Sequence, residues 1–171
     1  MFGWLFGRRK AKAPIVAVQP VRREPTPMVQ WRPDSFPMPV VGESHYQDAL
    51  VAIFGRHRRY GTEEETEALV RLDPMNAYDP NAVVVTIDNR IVGFLPRDQA
   101  VRVGAALREA KLTQVRARAQ GRGGWRTNQY DEGHYGVKLA IPTYGWIDLG
   151  VGASPPPKPP RKKPVRKPKA S

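Results

Sequence analysis

The sequence of 171 residues predicts a mainly β, α+β domain: a small, partly open antiparallel β-barrel with two helices that plug or flank it. Three observations predict this class. β-branched runs recur between turn residues, two segments carry apolar residues at helical spacing, and both ends are too rich in proline and basic residues to bury a core. A two-layer α+β sandwich is the competing architecture.

The first half of the predicted domain contains a strand, a helix and a second strand. FPMPVVGE (36–43) predicts the entering strand. In HYQDALVAIFG (45–55), apolar residues at i, i+3, i+4, i+7 and i+8 predict a helix that ends at Gly55. EALVRL (67–72) predicts a short strand, and the acidic cluster EEETE (63–67) is expected to lie in a solvated loop.

A hairpin and a second helix follow. AVVVTIDNRIVGFLP (82–96) has β-branched runs on both sides of Asp88 and Asn89, which predicts two strands joined by a tight turn. Pro96 is expected to open a helix over 97–110, because apolar residues recur there on one helical face.

Two more strands complete the predicted domain. LTQVRARAQ (112–120) alternates apolar and polar residues, which predicts a half-buried strand. GRGG (121–124) is expected to turn the chain, and HYGVKLAIP (134–142) to return as the final strand. The predicted domain therefore contains about six strands and two helices. The strands are expected to be mostly antiparallel.

The positive charge of the chain is concentrated at its two ends. The net charge is +12, yet residues 1–32 carry seven Lys or Arg against one Glu, and residues 154–171 carry seven against none. The middle is therefore nearly neutral, and the ends account for the preference for acidic partners. We expect a disordered basic, proline-rich arm at 1–35, one domain at 36–150, and a disordered Pro/Lys/Arg-rich tail at 151–171.

The tail has three possible roles. It could be a solvated solubility tail, a non-specific tether for nucleic-acid phosphates, or a ligand for a proline-recognition groove; the tether is favoured. The opening MFGWLFGRRK is far shorter than a spanning helix and places its apolar residues before its basic ones, unlike a signal peptide. The expected location is the cytoplasm, in association with the nucleoid, without stable membrane insertion.

No enzyme motif is found. The chain has no Cys and three scattered His, which excludes disulfides and gives no zinc site. There is no P-loop and no nucleophile elbow, and the Asp/Asn residues of 73–81 lack the spacing and glycine of a calcium loop. The protein is therefore predicted to be non-catalytic and to need no metal or cofactor.

Two segments are candidates for binding nucleic acid. The first is the predicted hairpin around 116–130, where Arg116, Arg118 and Trp125 alternate cations with an aromatic ring, a combination that suits single strands. Its alternative is an exposed hairpin with locally packed aromatics. The second is LDPMNAYDPNAV (72–83), which is too long and too polar for a simple turn. Asx turns would explain part of it, but an aromatic such as Tyr78 in a polar loop is costly unless packed or used.

Three segments resemble the signature segments of HIRAN domains. They are VVGESHYQ (40–47), LDPMNAYDPNAVVV (72–85) and IVGFLPRDQA (91–100), in the family's order. The resemblance covers roughly residues 38–142, and it is most specific in the middle segment. It implies an OB-like barrel that captures single-stranded DNA, especially a free 3′ end. Stand-alone bacterial or phage members are the closer parallel, because no helicase motor is present in the sequence.

The resemblance also implies a set of DNA contacts. Tyr78 would stack on the terminal base, and Asp79 would accept a hydrogen bond from the 3′-hydroxyl. Asn76 would contact a base edge, and Arg97 would hold a phosphate. His45 and Tyr46 would stack from the other side, while Phe94 stands where the family has a polar histidine and could stack instead.

Three hypotheses of different class follow. The first is a monomeric, non-catalytic module that binds single-stranded DNA or DNA ends in repair or at replication forks. The second is a protein-interaction adaptor whose proline-rich tail recruits a partner. The third is an accessory subunit of a helicase or nuclease; hydrolase and zinc functions of such relatives have no supporting residues in this chain.

Overall fold

The computed structural model describes residues 26–152. These residues form two helices, α1 (Gln47–Phe54) and α2 (Arg97–Glu109), and a 3-10 turn at Glu43–His45. The strands, in chain order from β1 to β8, are Met38–Pro39, Thr62–Leu72, Val83–Ile87, Arg90–Phe94, Gln114–Gly123, Arg126–Asn128, Asp131–Glu132 and Tyr135–Leu139. The predicted basic arm and tail lie for the most part outside these described residues.

Six strands form one antiparallel sheet in the order β1-β8-β5-β2-β3-β4. The sheet curls into a half-barrel, so the predicted mainly β, OB-like α+β class is confirmed. Its longest pairing joins β2 to β5, from Thr62 opposite Gly123 to Arg71 opposite Gln114. The short strands β6 and β7 pair as a separate hairpin that was not predicted.

Both predicted helices and the predicted β3–β4 hairpin are confirmed. Asp88 and Asn89 have φ values of 48° and 60°, the left-handed pair that a two-residue turn of this kind requires. Leu50 and Phe54 of α1, and Val103 and Leu107 of α2, are buried in the core. The helices therefore pack against the sheet and share one hydrophobic core with it.

The structure of the acidic cluster at 63–67 differs from the prediction. It was expected in a loop, but it forms the first half of β2. Glu65 and Glu67 pair with Arg118 and Arg116 of β5 at 2.7 and 3.1 Å. Opposite charges on neighbouring strands make a solvent-facing sheet surface favourable even for a run of glutamates, and this cross-strand partner is not visible from the local sequence.

The N-terminal boundary of the domain also differs from the expected residue 36. Met28 forms a parallel bridge with Arg116, and Gln30 forms an antiparallel bridge with Asp148. Val29 is buried and Trp31 packs against the core. Residues 26–31 therefore cover the half of β5 that β8 leaves unpaired, so their backbone groups find partners on an otherwise open edge.

The two edges of the sheet meet at one point. Met38 and Pro39 pair with β8, and two residues later the Val41 N–H and C=O bond to Phe94 of β4 at 2.8 and 2.9 Å. Gly93 permits this approach: its φ is 151°, and a Cβ there would lie 2.5 Å from the Val41 carbonyl oxygen. A side chain at this position is excluded both by conformation and by space.

The closure can be tested with Gly93→Ala, which should lower the free energy of unfolding by on the order of 3 kcal/mol. Gly136→Ala is the matched control, because a Cβ at this strand position meets only a side-chain oxygen of Glu43 at 3.6 Å. Chemical denaturation of both variants measures the difference. Equal stability of the two variants would contradict the role given to Gly93.

Candidate functional site

The loop between β2 and β3, residues 73–82, is closed by its own backbone. The Asp73 N–H donates to the Ala82 carbonyl at 2.9 Å, and the Ala82 N–H donates to the Asp79 carbonyl at 2.9 Å. At its centre the Asn76 N–H donates to the Asp73 carbonyl at 3.1 Å. These bonds make the long connection a defined turn structure rather than an open loop.

Asn76 holds the loop together from inside. Its side-chain oxygen accepts the backbone N–H groups of Tyr78 and Asp79 at 3.1 and 3.2 Å, and its amide donates to the Asp73 carboxylate at 3.0 Å. Sequence reasoning assigned Asn76 to a base edge. The structure gives it a folding role, since the side chain satisfies the backbone around the two residues most expected to bind.

Tyr78 and Asp79 differ sharply in exposure. Tyr78 is 95% exposed, so its ring is not part of the core. The Asp79 side chain is only 20% exposed; one oxygen accepts the Asn81 N–H at 2.8 Å and the other lies 3.3 Å from Arg97 Nε. A fully exposed ring is therefore followed in the chain by a fixed carboxylate.

Arg97 is the first residue of α2, and its side chain is 84% exposed. Its contact with Asp79 joins the helix to the loop, although an ion pair this exposed contributes no more than about 1 kcal/mol. The guanidinium remains accessible to solvent, so it can take a phosphate oxygen while one of its nitrogens stays near Asp79.

Tyr46 and Phe94 form an aromatic pair. Their ring centroids are 6.4 Å apart and their planes are inclined by 54°. Both rings are partly exposed, and His45, one residue earlier, is exposed. The bonds between Val41 and Phe94 bring these segments together, although they are about 50 residues apart in the chain.

The end of β4 connects the aromatic pair to the loop. Phe94 lies three residues before Arg97, and the Leu95 N–H donates to the carbonyl of Val83, where β3 leaves the loop. The structure therefore places seven of the ten predicted contact residues on adjoining segments. They are His45, Tyr46, Asn76, Tyr78, Asp79, Phe94 and Arg97.

The other three predicted contacts lie elsewhere. Arg116 and Arg118 are on the outer face of β5, where Glu67 and Glu65 neutralise them. Trp125 lies just beyond the end of β5 that pairs with the start of β2, whereas the loop 73–82 follows the end of β2. The length of β2 therefore separates Trp125 from the loop by about 30 Å. The predicted arginine hairpin is thus an ion-paired sheet surface and a distal aromatic residue, and it does not extend the surface around Tyr78.

Two residues of the GESHYQ segment have structural roles that sequence reasoning missed. The Gln47 amide donates to the Tyr135 carbonyl at 2.9 Å and accepts its N–H at 2.9 Å, and a Glu43 carboxylate oxygen accepts the Val137 N–H at 3.1 Å. These side chains thus bond backbone groups of β8 in the way that a neighbouring strand would. Burial raises the pKa of Glu43, while the bond from Val137 opposes this.

Within residues 26–152, no group of three His, Asp or Glu side chains is placed to hold a metal ion. The helices of the same part of the chain are all too short or too polar to cross a membrane. Comparison of the chain with models of known families, with curated proteins and with solved structures finds no match.

The loop assignment predicts that Asn76→Ala speeds amide hydrogen exchange at Tyr78 and Asp79 by about tenfold, because about 1.4 kcal/mol of local stability is lost with the three side-chain bonds. Met75→Ala is the control, since Met75 is 89% exposed in the same loop. Unchanged exchange in the Asn76 variant would show that the loop is held by its backbone alone.

Glu43→Gln tests the half-buried carboxyl of Glu43. The folded-state pKa of Glu43 is raised, so its contribution to stability is complete at low pH and is lost as the pH rises through that pKa. The uncharged amide keeps an acceptor for Val137 without this dependence. The free energy of unfolding of Glu43→Gln relative to the wild type should therefore increase between about pH 4 and pH 7; a decrease would reverse the assigned sign.

Proposed function

We propose that the protein is a non-catalytic module that binds single-stranded DNA and captures its free 3′ end. The observation that carries the proposal is the exposed ring of Tyr78, held beside the fixed carboxylate of Asp79 by a loop that Asn76 rigidifies. A ring that packs against nothing is available to stack on a base, and stacking on an aromatic side chain contributes about 1–3 kcal/mol per base.

Asp79 supplies the selectivity for an end. Its carboxylate accepts a hydrogen bond from a terminal 3′-hydroxyl next to the stacked base. A phosphate at the same position would place negative charge against negative charge, so a continuing strand or a phosphorylated end is disfavoured. The limited exposure of this carboxylate, 20%, strengthens the repulsion because little water screens it.

The remaining contacts lie along the DNA backbone, on the nucleotides that precede the 3′ end. Arg97 binds the phosphate preceding the terminal nucleotide, and the exposed start of α2 adds backbone N–H donors. Tyr46 and Phe94, with exposed His45 beside them, offer the next rings for stacking. The three segments that resemble HIRAN domains supply these same residues, which supports the same interpretation, including a place beside a helicase or nuclease at repair sites or forks.

A single-stranded probe with a 3′-hydroxyl should bind the full chain more tightly than the same probe with a 3′-phosphate, as measured by fluorescence polarisation. Tyr78→Ala should weaken binding of the hydroxyl probe by about 5- to 150-fold, the equivalent of one lost stacking contact. Asp79→Ala should remove the preference between the two probes with a smaller effect on affinity.

Tyr60→Ala is the matched control for Tyr78→Ala. Tyr60 is 88% exposed but lies at the opposite end of β2, so its removal should leave both affinities unchanged. Equal binding of the two probes by the wild type would refute end capture. Absence of any binding would instead favour the adaptor function of the proline-rich tail, which lies outside the described residues.

A further inference from the structure

The first half of β2 has an open lateral edge. β2 pairs with β5 over nearly its whole length. β3 lies on its other side but pairs only with Leu69–Leu72, because the chain turns back at Asp88 and Asn89. Among residues 26–152, no other strand or loop backbone bonds to that side of residues 62–68. This half of the strand is therefore a margin of the sheet that another strand could extend.

The direction of the backbone groups along this edge follows from the bonds at the end of β2. The Leu72 N–H donates to the Thr113 carbonyl, so the even-numbered residues of β2 bond towards β5. The Asp73 N–H donates to the Ala82 carbonyl, so the odd-numbered residues face the side of β3. The N–H and C=O groups that point from the open edge into solvent are therefore those of the odd-numbered residues, Glu63, Glu65 and Glu67.

The same three residues carry carboxylates that are still accessible. Glu65 and Glu67 each use one oxygen, Oε2, for an arginine of β5, and their side chains remain 49% and 56% exposed. Glu63 is exposed and makes no ion pair with any residue of 26–152. Each carboxylate therefore has at least one oxygen left to accept a donor from the open side. Along this edge, a row of unpaired backbone groups coincides with a row of negative charge.

We propose that this edge binds an extended, basic segment of a partner protein as an additional strand of the sheet. The backbone groups of Glu63, Glu65 and Glu67 form the hydrogen-bond ladder with it. Every second side chain of the bound segment is Lys or Arg and lies opposite one of these glutamates. The β3–β4 turn limits the edge at one end and the turn that joins Arg58 to Gly61 limits it at the other. About five or six residues fit between them, which is an ordinary strand length.

The glutamates discriminate between possible occupants of the edge. Antiparallel pairing of two copies of this edge, centred on Glu65, would place Glu63 of each copy opposite Glu67 of the other. Like charges directly opposite each other destabilise a pair of strands, so the edge disfavours self-association. A strand with Lys or Arg at alternate positions turns this repulsion into attraction. Exposed ion pairs contribute little by themselves, so the backbone bonds supply the affinity and the charges select the partner.

The open edge is separate from the loop 73–82. Between Glu67 and Asp73 the chain is extended, and this distance along β2 is about 20 Å. A strand bound at the edge therefore leaves Tyr78 accessible, so the two surfaces can hold different ligands at once. Together with the proposed function, the edge makes the domain a connector between a DNA end and a protein. Binding at the edge does not itself depend on that function.

Amide hydrogen exchange of the full chain, followed by NMR, tests the edge directly. The probe is an acetylated and amidated peptide of about seven residues in which Lys alternates with Val, a length that matches a strand. In the free protein the amides of Glu63, Glu65 and Glu67 should exchange fast, whereas those of Glu64 and Thr66 are protected by β5. Saturating peptide should slow the three odd-numbered amides by at least about tenfold. Unchanged exchange at these amides would overturn the proposal.

Control peptides and one variant separate strand pairing from simple charge attraction. A peptide with Glu in place of Lys should not protect the edge, and neither should the Lys peptide N-methylated at the residues that face it. Equal protection by the N-methylated peptide would overturn the proposal. Glu65→Pro removes the central outward N–H but no bond to β5, so it should weaken peptide binding at least about tenfold more than Glu65→Gln. If the proline variant does not fold, the peptide controls with the wild type decide.

Three further outcomes have distinct meanings. Protection of the odd-numbered amides without peptide would overturn the proposal: protection that rises with protein concentration would identify a second copy, and protection independent of concentration would identify a segment of the same chain. If the peptide protects the edge but the 3′-hydroxyl probe does not bind, end capture fails and the edge stands. If the probe binds with its 3′ preference but the peptide protects nothing, the edge fails and end capture stands.

Discussion

The candidate site depends on the two hydrogen bonds between Val41 and Phe94, which close the curled sheet. They place the GESHYQ segment, with His45 and Tyr46, against the end of β4, and β4 leads directly into Arg97. Without this closure Tyr46 and Phe94 would belong to opposite edges of an open sheet. Gly93 is the residue that makes the approach possible, because any side chain there would meet the Val41 carbonyl.

The loop 73–82 combines a hydrogen-bonded backbone with an exposed aromatic ring. Most of its polar side chains form hydrogen bonds within the loop: Asp73, Asn76 and Asp79 all accept backbone or side-chain donors there. This internal satisfaction leaves Tyr78 projecting into solvent on a backbone that does not need to reorganise. The hydrogen bonds of Asn76 fix the backbone that carries Tyr78, so the order of the loop does not depend on packing of the ring.

Much of the fold was predictable, because periodicity and turn chemistry are local signals. Both helices, the Asp88-Asn89 hairpin and the alternation of Val115 and Ala117 with Arg116 and Arg118 were assigned correctly. The failures share one cause: they involve strand partners remote in sequence. Glu65 and Glu67 suit a strand only because β5 lies beside them, and residues 26–31 join the sheet only because β8 leaves part of β5 unpaired. The ion pairs of Arg116 and Arg118 with Glu67 and Glu65 also join neighbouring strands that are remote in sequence, so the local pattern does not show them.

The sequence by itself determined the class of fold, the position of the loop, the neutrality of the domain and the concentration of charge at the two ends, since composition, periodicity and turn residues act locally. Only the tertiary structure decided which residues share a surface. It separated Trp125 from Tyr78 by the length of a strand, gave Asn76 a place inside the loop, and joined Gln30 to Asp148 in one bridge. Such contacts depend on sheet register and on closure of the barrel, which pair residues far apart in the chain and leave no local pattern in the sequence.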